Sequence, residues 1–204
     1  WVNICSLLAE RRGRRFYHRG FPLEKRFPDE AWTSERRMIT PVANAGLWLG
    51  DPDLDAMERL YHMTEPVEAT AYTRKDSFAM GKGVWAPFNS QNTALLRRAI
   101  PAYFLSPMLG RYDDIWGSYI MKRIADHMGD TITFGLPLVR QERNPHNYWR
   151  DLDKERYGHA LTLRFVEMLS SIPLSGTTYK ECFSELARKM AEKAASLRIF
   201  STRI

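Results

Sequence analysis

A helical segment that runs almost directly into an apolar strand is the feature that most constrains how this chain can fold. The helical segment is YDDIWGSYIMKRIADHMG, in which Asp113 and Asp114 are typical of a first helical turn and Gly129 is a typical helix stop. The strand TITFGLPLV follows it. An earlier segment has the opposite order, since a short strand over Ala45–Leu49 leads into a helix that Asp53 is expected to cap. Strands that alternate with helices predict an α/β fold with a mixed sheet flanked by helices.

The remaining segments fit the same class of fold. We expect a helix over residues 2–12 and a long loop with short structured pieces over residues 14–41. Further strands are predicted for VEATAY and for GVWAPFNSQNTALLRR, where Pro87 interrupts the second. A long helix is predicted for NYWRDLDKERYGHALTLRFVEMLSSI, with a break into two at Gly158 as an option. A last helix is predicted for TYKECFSELARKMAEKAASL. No repeat divides the chain, so all 204 residues are predicted to form a single domain whose C-terminal helical segment covers about 147–204.

The composition is typical of a globular protein with anionic partners. Hydrophobic residues make up 44% and charged residues 26% of the chain, and the net charge is +6 with a pI of about 9.4. Phosphate-bearing small molecules are favoured over nucleic acid, because no nucleic-acid-binding motif accompanies the cations. No apolar run approaches the roughly 20 residues that cross a bilayer, so no membrane span is expected. The two cysteines, Cys5 and Cys182, are too few for a disulfide framework, and a reducing, cytoplasmic location is the simpler interpretation.

A basic turn near the N-terminus is the first candidate binding feature. In FYHRGFPLEKR, Arg19 precedes Gly20 and Pro22, which hold it on a stiff turn, and Arg26 follows within reach of the same anion. A planar guanidinium makes bidentate contacts to phosphate, so both arginines are candidates for binding a diphosphate or a sugar. The alternative is structural, with Arg19 paired to a local acid such as Glu24 and its stem packed on aromatic rings.

Two acids at a helix start form the second candidate. Helix capping explains either Asp113 or Asp114, but adjacent acids cannot both be the cap, so one carboxylate is predicted to be free. A free carboxylate at this position could orient a sugar hydroxyl or act as a base. The neighbouring rings of Tyr112 and Trp116 could stack on a sugar or a base, although a place in the core is the alternative for the tryptophan.

Two further polar segments supply weaker candidates. His146 follows a proline in RQERNPHNYWRDL, where it could bind a metal ion or a diphosphate, or could be a surface or capping residue. Asn44 and Trp48 lie in NAGLWLGDPDLDA, where they could line a pocket or belong to an ordinary strand and turn. The chain contains no HExxH, GxSxG, CxxC or phosphate-loop glycine motif, so the classical hydrolase and redox enzymes have no support.

Taken in order, these segments resemble the reversibly glycosylated polypeptide family, which includes the plant UDP-arabinopyranose mutases, and the related STELLO-type and bacterial glycosyltransferase-like proteins. The resemblance rests on RGFPLEKR, NAGLWLGDPDLDA, NSQNTALLRRAIPAYF and GRYDDIWGSYIMKRIADHMGDTITFGLPLV, and it covers about residues 15–152. It implies that Arg19 matches the arginine that carries the family's reversible sugar and that Arg26 matches a second important arginine. Asp113 and Asp114 match an acidic pair. The segments EKRFPDEAW and RQERNPHNYW depart from the plant pattern and favour the bacterial-like branch.

The resemblance also implies a fold and a set of site residues. The fold would be a GT-A-like nucleotide-sugar domain, in which an Asp-x-Asp metal motif would precede Arg19, and no such motif is present. Either this relative has lost the motif, or the chain is the C-terminal, acceptor-side part without the N-terminal nucleotide-binding portion, which Trp1 as the first residue favours. A divalent cation, Mn²⁺ or Mg²⁺, would be held mainly by that absent portion. The assigned residues are catalytic Asp113, Asp114 and Arg19, substrate-binding Arg26, Asn44, Trp48, Asn92, Arg111 and Trp116, and metal-binding His146.

Several functions are compatible with these assignments. The first is glycosyl transfer from a UDP-sugar or another nucleotide sugar to a sugar or protein acceptor, with self-glycosylation as an option. The alternatives are a pyranose–furanose mutase acting on a UDP-sugar and a non-catalytic scaffold that binds partners. A basic nucleic-acid binder is the remaining class, and a steep dependence of affinity on salt would reveal it. A homo- or hetero-oligomer is compatible with each of them.

Overall fold

The computed structural model describes residues 1–26 and 33–201, with side chains described as far as residue 195. Within these residues the chain forms strands β1 (Leu8–Glu10), β2 (Pro41–Gly50), β3 (Ala69–Tyr72), β4 (Phe78–Ala79), β5 (Thr93–Leu95) and β6 (Thr131–Gln141). The helices are α1 (Ala56–Tyr61), α2 (Asp113–Met128), α3 (Tyr148–Ser171) and α4 (Tyr179–Ser201). Short 3₁₀ turns cover Ile4–Leu7, Leu23–Lys25, Arg97–Ala102 and Gly110–Tyr112. The predicted α/β class is confirmed.

The strands form one mixed sheet in the order β1-β3-β2-β6-β4, with β5 paired to β2. Strands β2 and β6 run parallel and the other pairs are antiparallel. Ala45 of β2 lies opposite Phe134 of β6, and both are buried. Because β2 and β6 are parallel, their carboxyl ends reach the same edge of the sheet. The segments that follow them, near Asp53 and Arg143, therefore meet there.

Helix α2 packs its apolar face into the core, as its sequence predicts. Ile115, Tyr119 and Ile124 are fully buried, and each large apolar side chain contributes roughly 1.5–3 kcal/mol by leaving water. The helix ends at Gly129, whose φ of 73° is the left-handed conformation that glycine adopts most readily.

Helix α3 runs without a break, so the optional interruption at Gly158 does not occur. The glycine is needed for packing instead, because a Cβ there would lie 2.4 Å from the ring of Tyr112. The indole of Trp116 stacks on Phe165 with ring centroids 4.2 Å apart, and its Nε1 donates to the Thr162 hydroxyl at 3.0 Å. Helix α3 is thereby fixed against α2.

The helix predicted for residues 2–12 is wrong. This segment forms a 3₁₀ turn over Ile4–Leu7 and then β1, in which Leu8 pairs with Tyr72 of β3. The turn is fixed by Asn3, whose side chain accepts from the Cys5 amide and donates to the Phe16 carbonyl. Tertiary hydrogen bonds and pairing with β3 therefore outweigh the helical spacing of the apolar residues.

Two other local predictions are corrected. Asp55, not Asp53, caps α1, because its Oδ1 accepts from the Glu58 amide at 2.9 Å. The stretch around Pro87 contains only the short strand β5, which begins at Thr93. The long loop predicted over residues 14–41 is confirmed in part, since its described portion holds one 3₁₀ turn and the first residue of β2, and residues 27–32 lie outside the described chain.

Among the described helices, none combines the length and the apolar character that crossing a bilayer requires. Both cysteines are buried free thiols.

Candidate functional site

A polar cleft of about 300 Å³ lies where β2, β6 and the start of α2 come together. Five of the residues assigned from the sequence line it, namely Arg19, Arg111, Asp113, Asp114 and His146. Its other walls are Asp53, Gln91 and residues 141–144. The basic turn and the acidic helix start therefore belong to one site.

Arg19 is held at the floor of the cleft by two carboxylates. Its Nε donates to both oxygens of Asp53 at 3.1 Å, and its Nη2 donates to Asp53 at 2.9 Å and to Asp114 at 3.1 Å. Its Nη1 donates to the main-chain carbonyl of Arg111. The Arg19 side chain is only 8% exposed. We call Arg19, Asp53 and Asp114 the Arg19 cluster; the alternative of a local pair with Glu24 does not form.

The turn that carries Arg19 is fixed by its backbone. The Arg19 amide donates to the Asp53 carbonyl at 2.8 Å. Gly20 has a φ of 83°, and a Cβ there would lie 2.2 Å from the side chain of Ile115. Its carbonyl accepts from the Tyr119 hydroxyl at 2.9 Å. Glycine is thus required both by conformation and by the close approach of the turn to α2.

Asp53 is the central acid of the cleft, and the sequence reasoning missed this role. Besides Arg19 it accepts from Arg143 Nη2 at 2.6 Å and from Asn89 Nδ2 at 2.7 Å. Burial acts to raise the pKa of Asp53, but the positive charges of Arg19 and Arg143 outweigh it and hold that pKa well below its usual range. Burial likewise acts to lower the pKa of Arg19, but Asp53 and Asp114 raise it above its usual value. Both groups are therefore ionised at neutral pH.

The two acids at the start of α2 have different partners. Asp113 accepts from the Asp114 amide at 2.7 Å, a contact within the first helical turn. Asp114 reaches Arg19 and also accepts from the Ser90 amide at 3.2 Å. Tyr112 takes the N-cap position itself. Asp113 is thus the more exposed carboxylate, while Asp114 is committed to the cluster.

Arg111 and His146 lie in the cleft and are tied to α3. Arg111 Nε donates to Glu155 at 2.6 Å and its Nη1 lies 3.7 Å from Asp151. His146 Nδ1 lies 2.9 Å from Asp151. In the part of the chain that the structure describes, the three-donor group with metal-binding spacing does not include His146, and the geometry gives no support to its assignment as a metal ligand.

Arg26 is not in the cleft but in a second buried cluster. Its Nη1 donates to Glu58 at 2.9 Å and its Nη2 donates to Asp55. We call Arg26, Asp55 and Glu58 the Arg26 cluster. Burial raises the pKa of Glu58 to about 7, with Arg26 opposing the rise and Asp55 adding to it.

The other four assigned substrate-binding residues also lie outside the cleft lining. Asn44 accepts from the Thr133 hydroxyl at 2.8 Å, and Asn92 donates to the Leu47 carbonyl at 2.9 Å. The ring of Trp48 is buried edge-on against His18, at 5.5 Å between centroids. Trp116 packs on α3 as described above. These contacts are structural, and substrate contact by these residues remains a prediction that the geometry does not favour.

Comparison with known proteins agrees with the resemblance seen in the sequence. The family model described as reversibly glycosylated polypeptide matches residues 17–203. UDP-arabinopyranose mutase 3 of Arabidopsis thaliana is 32% identical over 163 residues, which are 76% of this chain and 44% of that protein. Probable UDP-arabinopyranose mutase 1 of Solanum tuberosum is 30% identical over 179 residues, which are 84% of this chain and 48% of that protein.

The chain therefore spans about half the length of the curated relatives it matches. The family match nevertheless covers most of its own residues, including the cleft. On that extent of similarity, this chain is a member of the reversibly glycosylated polypeptide family.

Proposed function

We propose that the cleft binds the sugar and diphosphate of a nucleotide sugar and takes part in breaking the bond at the anomeric carbon. The observation that carries the proposal is the meeting of Arg19 with Asp114, 95 residues away in the chain, at the floor of one polar cleft. The names of the relatives, which are UDP-arabinopyranose mutases, support a UDP-sugar as the substrate class.

The cleft residues divide into groups suited to the two ends of such a substrate. Arg111 and Arg143 are the cations that can approach a diphosphate, and guanidinium groups stabilise the negative charge that grows on a leaving diphosphate. Asp113 is the carboxylate best placed to accept hydrogen bonds from sugar hydroxyls. Arg19 acts here as a charged group that fixes Asp53 and Asp114, since its raised pKa disfavours loss of a proton.

The names of the relatives favour rearrangement of a UDP-sugar between pyranose and furanose forms over transfer to a separate acceptor. Both reactions need the bond between the anomeric carbon and the diphosphate to break, so both draw on the same cations. Glycosyl transfer to a sugar or protein acceptor, including the chain itself, is the related reaction that the same cleft would serve.

A divalent cation, Mn²⁺ or Mg²⁺, remains part of the proposal as a companion of the diphosphate. Within the described residues, the acids of the cleft do not form a three-donor group with metal-binding spacing, so no step above depends on a cation held by this cleft. A cytoplasmic location, which the two free cysteines support, and assembly into homo- or hetero-oligomers are also proposed.

The proposal is tested by measuring UDP-arabinopyranose binding and turnover with the longest natural polypeptide that contains this chain, with and without Mn²⁺. Arg19→Ala is expected to weaken binding or turnover at least about tenfold, because it removes the group that positions both carboxylates. The matched control is Arg164→Ala, an exposed arginine on α3. Equal effects of the two variants would overturn the proposal.

A non-catalytic scaffold is the second candidate, and one observation favours it. The donors of Arg19 are largely taken by Asp53, Asp114 and the Arg111 carbonyl, as in an internal ion pair with a purely structural role. A scaffold predicts that Arg19→Ala lowers stability while the folded wild-type protein shows no saturable binding of any UDP-sugar. Saturable binding that Arg19→Ala weakens under folding conditions excludes this candidate.

A further inference from the structure

Three potential metal ligands converge between α1 and α3; none of them lines the cleft, but Glu155 accepts from Arg111, which does. They are Asp55 at the cap of α1, and Glu155 and His159 one turn apart on α3. Their ligand atoms all lie within 4.8 Å of one another, and the two carboxylate side chains are fully buried. We propose that Asp55, Glu155 and His159 bind a divalent transition-metal cation such as Zn²⁺, independently of the function proposed for the cleft.

The ring of His159 is the observation that points to a ligand. Its side chain is only 8% exposed, yet its Nε2 makes no hydrogen bond and lies 3.6 Å from Glu155 Oε2. Its Nδ1 lies 3.4 Å from the Tyr112 hydroxyl. A buried ring nitrogen whose contact to Glu155 is longer than a hydrogen bond is unfavourable, and a metal ion bound at Nε2 would satisfy it while the other nitrogen keeps its contact.

The two carboxylates are oriented by groups that leave them able to bind an ion. Glu155 accepts from Arg111 at one oxygen and from the Ala56 amide, at 2.7 Å, at the other. Asp55 accepts from the Glu58 amide and from Arg26. Each carboxylate oxygen can accept a second interaction. Hydrogen bonds of this kind fix the orientation of ligating carboxylates around metal sites.

The charges around the three residues also favour a cation. Four carboxylates, those of Asp55, Glu58, Asp151 and Glu155, pair with the two guanidinium groups of Arg26 and Arg111. Glu58 also contacts His62, Asp151 also contacts His146, and the pKa of Glu58 is raised to about 7. Even without Glu58, three carboxylates outnumber the two guanidinium groups, which favours a bound cation.

The donor set and the surroundings suggest which cation binds and how it enters. One imidazole nitrogen with two carboxylates suits a borderline ion such as Zn²⁺ better than Mg²⁺, which prefers oxygen ligands and keeps its waters. His159 also lines a mostly apolar cavity of about 610 Å³, together with Leu23, Met57 and Trp149. Of the three proposed ligands, His159 lines that cavity, which gives an ion a route to this side of the site.

The proposal is tested by calorimetric titration of the EDTA-stripped protein with Zn²⁺ and with Co²⁺ at pH 7. We expect one ion per chain, and His159→Gln is expected to weaken binding at least about tenfold. His127→Gln is the matched control, because His127 lies on α2 and contacts the Gly176 carbonyl at 2.9 Å. Loss of binding in His146→Gln but not in His159→Gln would place the ion in the cleft and overturn the proposal.

A measurement on the wild-type protein keeps the test independent of variant folding. In ¹⁵N spectra, Zn²⁺ is expected to shift the His159 Nε2 resonance, while the His127 resonances remain unchanged. Circular dichroism checks that the stripped protein is folded. Absence of one-to-one binding at millimolar Zn²⁺, or an unchanged His159 resonance at saturation, overturns the proposal.

Discussion

The Arg19 and Arg26 clusters are built alike but are placed differently in the fold. Each has an arginine from the same N-terminal loop, 8% and 9% exposed, paired with two acids. Arg19 lies at the carboxyl edge of the sheet and faces the cleft. Arg26 lies beside the ring of Tyr17, which is 5.3 Å from its guanidinium carbon, and next to the start of α1. The comparison teaches that position relative to the strand ends, and not the local sequence, decides which arginine reaches the cleft.

The acids of the two clusters also respond to burial in opposite ways. Asp53 is contacted by two arginines, so its pKa lies well below its usual range. At Glu58, burial and the neighbouring Asp55 outweigh Arg26 and Arg59, and the pKa rises to about 7. Burial therefore prevails at Glu58, whereas the surrounding cations prevail at Asp53.

The largest effect is expected from removing the central acid of the Arg19 cluster. Asp53→Ala leaves Arg19 and Arg143 without their common partner, and breaking a buried ion pair in this way costs about 3–5 kcal/mol. Asp55→Ala is expected to cost a similar amount, because it removes a partner of Arg26 and the cap of α1. Urea unfolding measures both.

Glu192→Ala is the control for these variants, because Glu192 pairs with Arg188 on the exposed face of α4 and should change stability by less than about 0.5 kcal/mol. A loss below about 1 kcal/mol for Asp53→Ala would show that the Arg19 cluster contributes little to folding.

Ligand affinity should separate the two arginines. Arg19→Lys keeps the charge but loses the planar fork that holds two carboxylates, so UDP-arabinopyranose affinity should fall at least about tenfold. Arg26→Lys makes the same change outside the cleft and should alter affinity less than about twofold. Calorimetric titration of both variants checks this. An equal loss of affinity in the two would restore the substrate role that the sequence predicts for Arg26.

The pH dependence of stability should have opposite signs in the two clusters. The folded pKa of Asp53 lies below its unfolded value of about 3.9, so its contribution is present above that pH and is lost as the pH falls further. The folded pKa of Glu58, about 7, lies above its unfolded value of about 4.3. Its contribution is therefore present below about pH 4.3 and is lost as the pH rises to about 7.

Urea unfolding at several pH values, with EDTA present, measures these contributions. Glu58→Gln should be less sensitive than the wild type to a rise from pH 4.5 to 7, and Asp53→Asn should be less sensitive to acidification below pH 4. Parallel curves for Glu58→Gln and the wild type across pH 4.5–7 would contradict the raised pKa of Glu58.

The smallest effect is expected at Trp116, which lies outside both clusters. Trp116→Phe keeps a ring against Phe165 but loses the hydrogen bond to Thr162, so stability should fall by about 1 kcal/mol. Affinity for UDP-arabinopyranose should not change, because Trp116 does not line the cleft. A clear loss of affinity in this variant would show that substrate reaches the indole.

Some parts of the molecule follow from local sequence because their signals are strong and nearby. Helix α2 and strand β6 form where predicted, since acids, apolar periodicity and a stop at Gly129 all act within one short stretch. The resemblance assigns Arg19, Asp113 and Asp114 to catalysis together, and all three line the cleft. Of the nine residues assigned to catalysis or substrate binding, Arg26, Asn44, Trp48, Asn92 and Trp116 lie elsewhere, because polar and aromatic side chains near a motif are as easily used for packing as for binding.

The sequence by itself determined the α/β class, the main helices and the family, because these depend on short-range patterns and on strings of matching residues. Only the tertiary structure decided which acid of GDPDLDA caps α1 and which one lies in the Arg19 cluster. Asp53 and Asp55 are equally able to cap a helix, and the choice falls to Asp55 because Arg19, Arg143 and Asn89 converge on Asp53 from distant segments. Long-range contacts in a buried site therefore determine the role of Asp53, and the local sequence does not show which partners it will have.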